Sequence, residues 1–277
     1  MRITFYGVRG STPAFTSDNC RYGGNTACVV LEEPGEEPII FDLGTGLRGF
    51  GQTCPMDGSF AGSAFVTHIH WDHVQGLPFF APLHVPGARL DMYAPHQEEG
   101  SLAEMFGDLM RPPYFPITCR ELGGKLMFHD VTSDTVAVGS RTVMVRPVPH
   151  KGPTVGYRVD SAAGRITYIS DHQAPLSFDT VAESVLELCD NADVLIHDAQ
   201  YTPAEFEKRK DWGHCTLDYA LLVAREAGAK KLVLFHHDPA HDDDEMDRLS
   251  AELSHHAAHT GVEVVAAREG MIVELGD

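Results

Sequence analysis

The 277-residue sequence contains no apolar run of about 18 residues, the length a membrane-spanning helix needs, and this argues against a membrane span. Its first residues, Met1-Arg2-Ile3-Thr4-Phe5-Tyr6-Gly7, lack the apolar stretch and small-residue cleavage site of a secretory signal and read as a strand. The six cysteines (Cys20, Cys28, Cys54, Cys119, Cys189, Cys215) show no C-x-x-C spacing. These omissions lead to the expectation of a cytoplasmic protein with reduced thiols. Basic residues are scarce, 21 against 40 acidic ones, for a net charge of −19. Such a surface repels polyanions at long range and argues against a long nucleic acid as partner. There is no low-complexity tract, linker or solenoid repeat, so one domain over 1–277 is expected.

What is present is a mixed α/β pattern with 43% hydrophobic residues, enough for a sizeable core. Short runs rich in β-branched or aromatic residues predict strands at Ile3–Tyr6, Ala27–Leu31, Pro38–Phe41, Ala64–Thr67, Arg89–Tyr93, Val143–Val148, Val155–Val159, Ile166–Ile169 and Lys231–Phe235. Thr216 is placed to cap a helix burying Leu217, Ala220, Leu221 and Ala224, and Asp244–His259 carries Met246, Leu249 and Leu253 at helical spacing. Residues 95–125 interrupt the rhythm with an amphipathic segment around Leu102–Met110 and the string Arg111-Pro112-Pro113-Tyr114-Phe115-Pro116. They read as an insertion or lid. Strands in two groups, each followed by helices, fit two sheets covered by helices.

The chemistry concentrates in Thr67-His68-Ile69-His70-Trp71-Asp72-His73, an H-x-H-x-D-H string directly after an apolar run. Imidazole nitrogens and carboxylate oxygens are the ligands that divalent transition metals prefer, and so many in so short a run suggest more than one ion. Three later apolar strands end the same way, in His150, Asp171 and His236. Sixteen histidines are too many for all to be ligands. Four such strand ends in one chain are nevertheless difficult to attribute to accident.

In the order and spacing of these motifs the chain resembles the metallo-β-lactamase superfamily over essentially its full length. The resemblance implies an αββα sandwich with a dinuclear site at one edge. It implies His68, His70 and His150 on one metal, Asp72, His73 and His236 on the other, and Asp171 bridging both. His237 competes for the last place. His236 is preferred because the family's ligand follows the apolar strand and one variable residue, here Phe235. Two divalent ions are therefore expected, zinc first, with manganese or iron as alternatives. Asp42, in Phe41-Asp42-Leu43-Gly44-Thr45-Gly46, matches a position that supports the metal ligands.

Pro147–Val159 lacks the T-x-G-H-T-type turn of the lactamase and thioesterase branches and looks like the phosphodiesterase branch that includes tRNase Z and cyclic-nucleotide phosphodiesterases. Trp212-Gly213-His214-Cys215-Thr216 matches that branch's H-x-T motif; His197-Asp198-Ala199-Gln200 matches its H-E-A-T motif imperfectly, with Asp for Glu. Phosphodiester cleavage needs a nucleophile, charge neutralisation and a proton for the leaving oxygen. These roles fall to Asp72, which orients the nucleophile, and to His214 as proton donor held by Asp198. A helix-end histidine and a turn aspartate are the plain structural alternatives for the last two. Candidate substrate contacts are Arg9, Ser11 and Asn25 in the Gly-rich N-terminal turns, and Tyr114 and Phe115 in the 95–125 segment.

The expected substrate is a small phosphodiester such as a cyclic nucleotide. No Gly/Pro-rich basic extension of the kind tRNase Z uses as a tRNA-binding arm is evident. The alternatives are a thioester, lactone or lactam hydrolase, a tRNA 3′-processing endonuclease, or a di-iron sensor. The last is disfavoured because His70 stands where the di-iron branch has an acidic residue. The resemblance also implies a homodimer.

Overall fold

The computed structural model describes residues 1–177 and 179–276. In chain order the strands are β1 (Arg2–Gly7), β2 (Cys28–Glu32), β3 (Ile39–Phe41), β4 (Ala61–Phe65), β5 (Arg89–Pro95), β6 (Lys125–Val131), β7 (Thr135–Val138), β8 (Arg141–Pro147), β9 (Val155–Ser161), β10 (Gly164–Ile169), β11 (Val194–Asp198), β12 (Lys231–Phe235), β13 (Glu263–Ala266) and β14 (Ile272–Glu274). The helices are α1 (Leu47–Gly51), α2 (Trp71–Val74), α3 (Leu102–Leu109), α4 (Glu183–Cys189), α5 (Pro203–Phe206), α6 (Leu217–Glu226) and α7 (Asp243–Ala257). None is long and apolar enough to cross a membrane among the described residues.

The strands form two seven-stranded sheets, ordered β14-β1-β2-β3-β4-β5-β6 and β13-β12-β11-β10-β9-β8-β7. Each is antiparallel at one end and parallel at the other: β3 to β6 run parallel, as do β10 to β13. Strands buried on both faces read as continuous apolar runs, which is why β2, β3 and β12 were conspicuous in the sequence. Between the sheets lies one apolar layer, where Phe41 stacks on Tyr168 (centroids 4.8 Å apart) and Phe5, Val145, Tyr157 and Phe235 are buried. A second layer packs α4, α6 and α7 on one outer face, and a third packs α1 and α3 on the other. The result is the expected αββα order.

Helix α6 begins as its sequence requires, with the Thr216 hydroxyl accepting from the Tyr219 amide. The 95–125 segment is the connection between the paired parallel strands β5 and β6, and it contributes Leu102, Phe106, Met110 and Leu122 to the outer core. A parallel pair requires such a crossover.

Since β8 and β10 are each antiparallel to β9, they point the same way, so the carboxyl ends of β8, β10, β11 and β12 share one edge. The carboxyl ends of β3 and β4 lie against it from the other sheet: Tyr168 at the end of β10 donates to Asp42 just after β3.

Candidate metal centre

The loop after β4 and the short helix α2 present His68, His70, Asp72 and His73 from the first sheet; the loops after β8, β10 and β12 present His150, Asp171 and His236 from the second. His68 Nε2 lies 2.8 Å from His70 Nδ1, which lies 3.5 Å from His150 Nε2. His73 Nε2 is 3.1 Å from Asp72 Oδ2, 3.3 Å from His236 Nε2 and 3.2 Å from Asp171 Oδ2. Asp171 sits between the two groups, its Oδ1 3.8 and 3.9 Å from His68 and His150 Nε2. His68, His70 and His150 thus form one set and Asp72, His73 and His236 another, with Asp171 reaching both.

These distances suit a site that gathers positive charge. His73 Nδ1–H donates to Asp42 Oδ2 (2.8 Å), His236 Nδ1–H to Gln200 Oε1 (2.9 Å) and His150 Nδ1–H to the Gly213 carbonyl (2.7 Å). Each bond fixes the tautomer, so the Nε2 lone pairs converge on the carboxylates of Asp72 and Asp171. Asp171 Oδ2 is buried and has no hydrogen-bond partner, a costly state for a carboxylate oxygen unless a cation is near it. The titration preferences carry the same demand for positive charge. Burial alone would lower His73, yet Asp72, Asp171 and Asp42 hold it well above the usual histidine range. Burial keeps His68, His70 and His150 low, hence neutral and able to ligate. The donor set, all nitrogen and carboxylate oxygen, fits divalent metal ions.

Between the two histidines after β12, the backbone decides. His236 takes a left-handed conformation (φ 58°) that turns its ring into the cluster. His237 points away, donating from Nε2 to the Ala267 carbonyl, and burial lowers its pKa to about 3.

His214 lies at the cluster's edge, its ring stacked on His236 (centroids 5.0 Å). Its Nδ1 bonds Asp198 Oδ2 at 3.1 Å and stands 3.6 Å from Asp171 Oδ1. Burial would lower its pKa, but Asp198, followed by Asp171 and Asp72, raises it. Asp198 is held in turn by the amides of His172 (3.0 Å) and Gln200 (3.0 Å). It is a turn aspartate as well as the partner of His214.

The expected substrate contacts divide. Ser11, in a left-handed conformation, donates its amide to Asp72 Oδ2 at 2.7 Å and belongs to the site. Arg9 does not offer its charge to a ligand. It is fully buried, and its guanidinium donates to the carbonyls of Gly23, Asp238 and His241, bracing the loop that carries Ser11. Asn25 is likewise engaged, its amide side chain on Glu269 and its carbonyl on the amides of Val8 and Arg9. Tyr114 is 73% exposed and Phe115 meets Phe79 edge to face. Both line an apolar cavity with Trp71.

Several contributors went unread in the sequence. Gln200 links His236 to Ser11, donating to the serine hydroxyl at 3.2 Å. Tyr168 and Thr67 join His73 on Asp42, which accepts from all three. Gly10 and Gly213 give room: a Cβ on either would stand 2.3 Å from the ring of His236 or His150. Thr67, Gln200 and Gly213 lay within or beside quoted motifs, but nothing local marked their partners.

The model of the β-lactamase superfamily domain matches residues 39–237. A ribonuclease Z from Synechococcus sp. (strain WH7803) is 26% identical over 86% of this chain and 85% of its own. The human short-form tRNase Z superposes with a TM-score of 0.71 at 22% identity, covering 100% of both chains. A diphosphatase of the PhnP family gives a TM-score of 0.69 at 20% identity, over 99% of this chain and 97% of that one. The chain therefore belongs to the metallo-β-lactamase superfamily, as a hydrolase of that fold with a His/Asp cluster able to bind divalent metal.

Proposed function

We propose that the protein is a dinuclear metal-dependent phosphodiesterase acting on a small substrate such as a cyclic nucleotide. The observation that carries this is His214, an imidazole with a raised pKa, held by Asp198 at the edge of the metal cluster. When bound, two divalent ions (zinc first) would neutralise the phosphoryl oxygens and make an attacking water more acidic. His68, His70 and His150 would hold one ion, and Asp72, His73 and His236 the other, with Asp171 between them. Asp72, whose Oδ2 is fixed by the Ser11 amide, orients the nucleophile. His214 keeps its Nδ1–H on Asp198 and delivers the Nε2 proton to the leaving alkoxide oxygen, returning to the neutral ring. A thioester hydrolase would have less need of this group, because a thiolate departs more readily than an alkoxide.

Net charge alone does not exclude a longer substrate, since the curated relatives carry the name ribonuclease Z. Precursor tRNA is therefore one arm of the test. Bis(p-nitrophenyl) phosphate, cyclic mono- and dinucleotides, thioesters and precursor tRNA are assayed with Zn²⁺ and Mn²⁺. Turnover of small phosphodiesters is expected. For the cyclic nucleotides, whose leaving oxygen is an alkoxide, it should fall about 10²- to 10⁴-fold in His214→Ala with the metal content kept. The fall should be smaller for bis(p-nitrophenyl) phosphate, which releases a stable phenolate. Turnover of thioesters alone, or of tRNA alone, would overturn the reading.

A further inference from the structure

The cavity beside the cluster has no part in the chemistry described so far. Helix α2 has two sides: Asp72 and His73 join the cluster, while Trp71 and Val74 line this cavity. Its far wall is the β5–β6 connection, with Met110, Tyr114 and Phe115. It encloses about 360 Å³, within the size range of small-ligand pockets. Of its eleven described lining residues five are aromatic and none is charged. Three of those rings are left largely in water: Trp71 is 65%, Phe79 59% and Tyr114 73% exposed.

Exposed aromatic rings around a concavity mark a binding surface. The occupant follows from continuity with the cluster. Trp71 stands between His70 and Asp72 in the chain, its Cα about 3.8 Å from each of theirs. One four-residue helix thus carries both a wall of the cavity and two of the candidate ligands, Asp72 and His73. Among the described lining residues there is no lysine or arginine, and the neighbouring cation, Arg111, stands over one face of Tyr114 at 5.8 Å, so the cavity suits an uncharged group.

We propose that this cavity is the specificity pocket for a planar aromatic ester group of the substrate, stacked among Trp71, Phe79 and Tyr114 while the phosphate sits at the cluster. The proposal rests on the phosphodiester reading above. A nucleobase and a simple aryl group share this chemistry, and the test separates them.

Binding is read from the fluorescence of the metal-loaded protein, which has only two tryptophans, Trp71 and Trp212. Phenyl methyl phosphate should bind at least about tenfold more tightly than dimethyl phosphate, a ratio within what burying one ring supplies. It should quench a signal that Trp71→Phe removes, and Phe79→Ala should bring the ratio near one. Thymidine 5′-methyl phosphate tighter than the phenyl ester identifies a nucleobase pocket; the reverse order identifies an aryl pocket. Equal binding of the phenyl and dimethyl esters, or a preference untouched by Phe79→Ala, would overturn the proposal. If phenol binds as well as phenyl methyl phosphate, with the same loss in Phe79→Ala, the aromatic pocket stands and the phosphodiester reading fails.

Discussion

Replacing Asp42 by asparagine changes one buried atom and should weaken metal binding without touching a ligand. The carboxylate accepts from the Thr67 amide at 2.8 Å on Oδ1, and from His73 Nδ1 and the Tyr168 hydroxyl, both at 2.8 Å, on Oδ2. An asparagine can keep only one oxygen. If it faces the Thr67 amide, its NH₂ meets the His73 N–H, and His73 must move its proton to Nε2, where the lone pair is needed. If it faces His73, the NH₂ meets the Thr67 amide instead. Either way at least one bond between a charged acceptor and a buried donor is lost, worth about 1.5–3 kcal/mol. At about 1.4 kcal/mol per decade that corresponds to roughly 10- to 100-fold in affinity, the same range that loss of a ligand-orienting partner produces elsewhere. Zinc affinity measured by competition with a chromophoric chelator should fall by that factor, with the kcat of the fully loaded protein largely retained. Unchanged affinity would refute the idea that Asp42 sets the His73 tautomer.

Two further outcomes are expected. Gly213 has φ +99° and no room for a Cβ, so Gly213→Ala should displace His150 and lower the bound metal from two ions toward one. Elemental analysis reads this directly, and a full complement of metal would count against the placement of His150. Acid should destabilise the metal-free protein through histidines buried neutral. The folded pKa of His237, about 3, lies below the unfolded value of about 6.5, so the unfolded chain binds more protons as pH falls through that window. Its contribution is whole above about pH 6.5 and declines below it by up to about 1.4 kcal/mol per pH unit. Urea melts should show the gap between wild type and His237→Gln narrowing by about 2 kcal/mol from pH 7.5 to 5. A constant gap would mean that His237 takes up a proton in the folded state.

The strands that the sequence pattern announced are all interior ones, and of the interior strands only β11 went unannounced. The other four that it did not announce, β6, β7, β13 and β14, are the four sheet edges. An edge strand buries less and carries polar side chains that discourage pairing with other chains, so its alternation is weak. Lys125, His129 and Asp130 in β6 are of this kind. At β4 the error was one of boundaries: Ala61-Gly62-Ser63 have little β propensity but pair with Arg89, Leu90 and Asp91, while Thr67 is drawn out of the strand by Asp42. The H-x-H-x-D-H string could be read because its residues adjoin in the chain. Gln200, Tyr168 and Gly10 could not, because their roles depend on partners 36, 126 and more than 200 residues away. Arg9 misled because a cation in a Gly-rich turn looks the same whether it faces an anion or three backbone carbonyls.

The cluster takes His68, His70, Asp72 and His73 from one sheet and His150, Asp171 and His236 from the other. The bound ions would therefore also be a mechanical joint between the two halves of the chain. Any ligand of the folded state alone adds RT ln(1 + [L]/Kd) to its stability, so the hold between the halves would scale with metal supply. Without metal this edge would lean on the imidazole of His73 between Asp72 and Asp171, while the apolar layer of Phe41, Tyr168 and Phe235 still joins the two sheets. Metal scarcity would thus govern how long the folded enzyme survives as well as how fast it turns over.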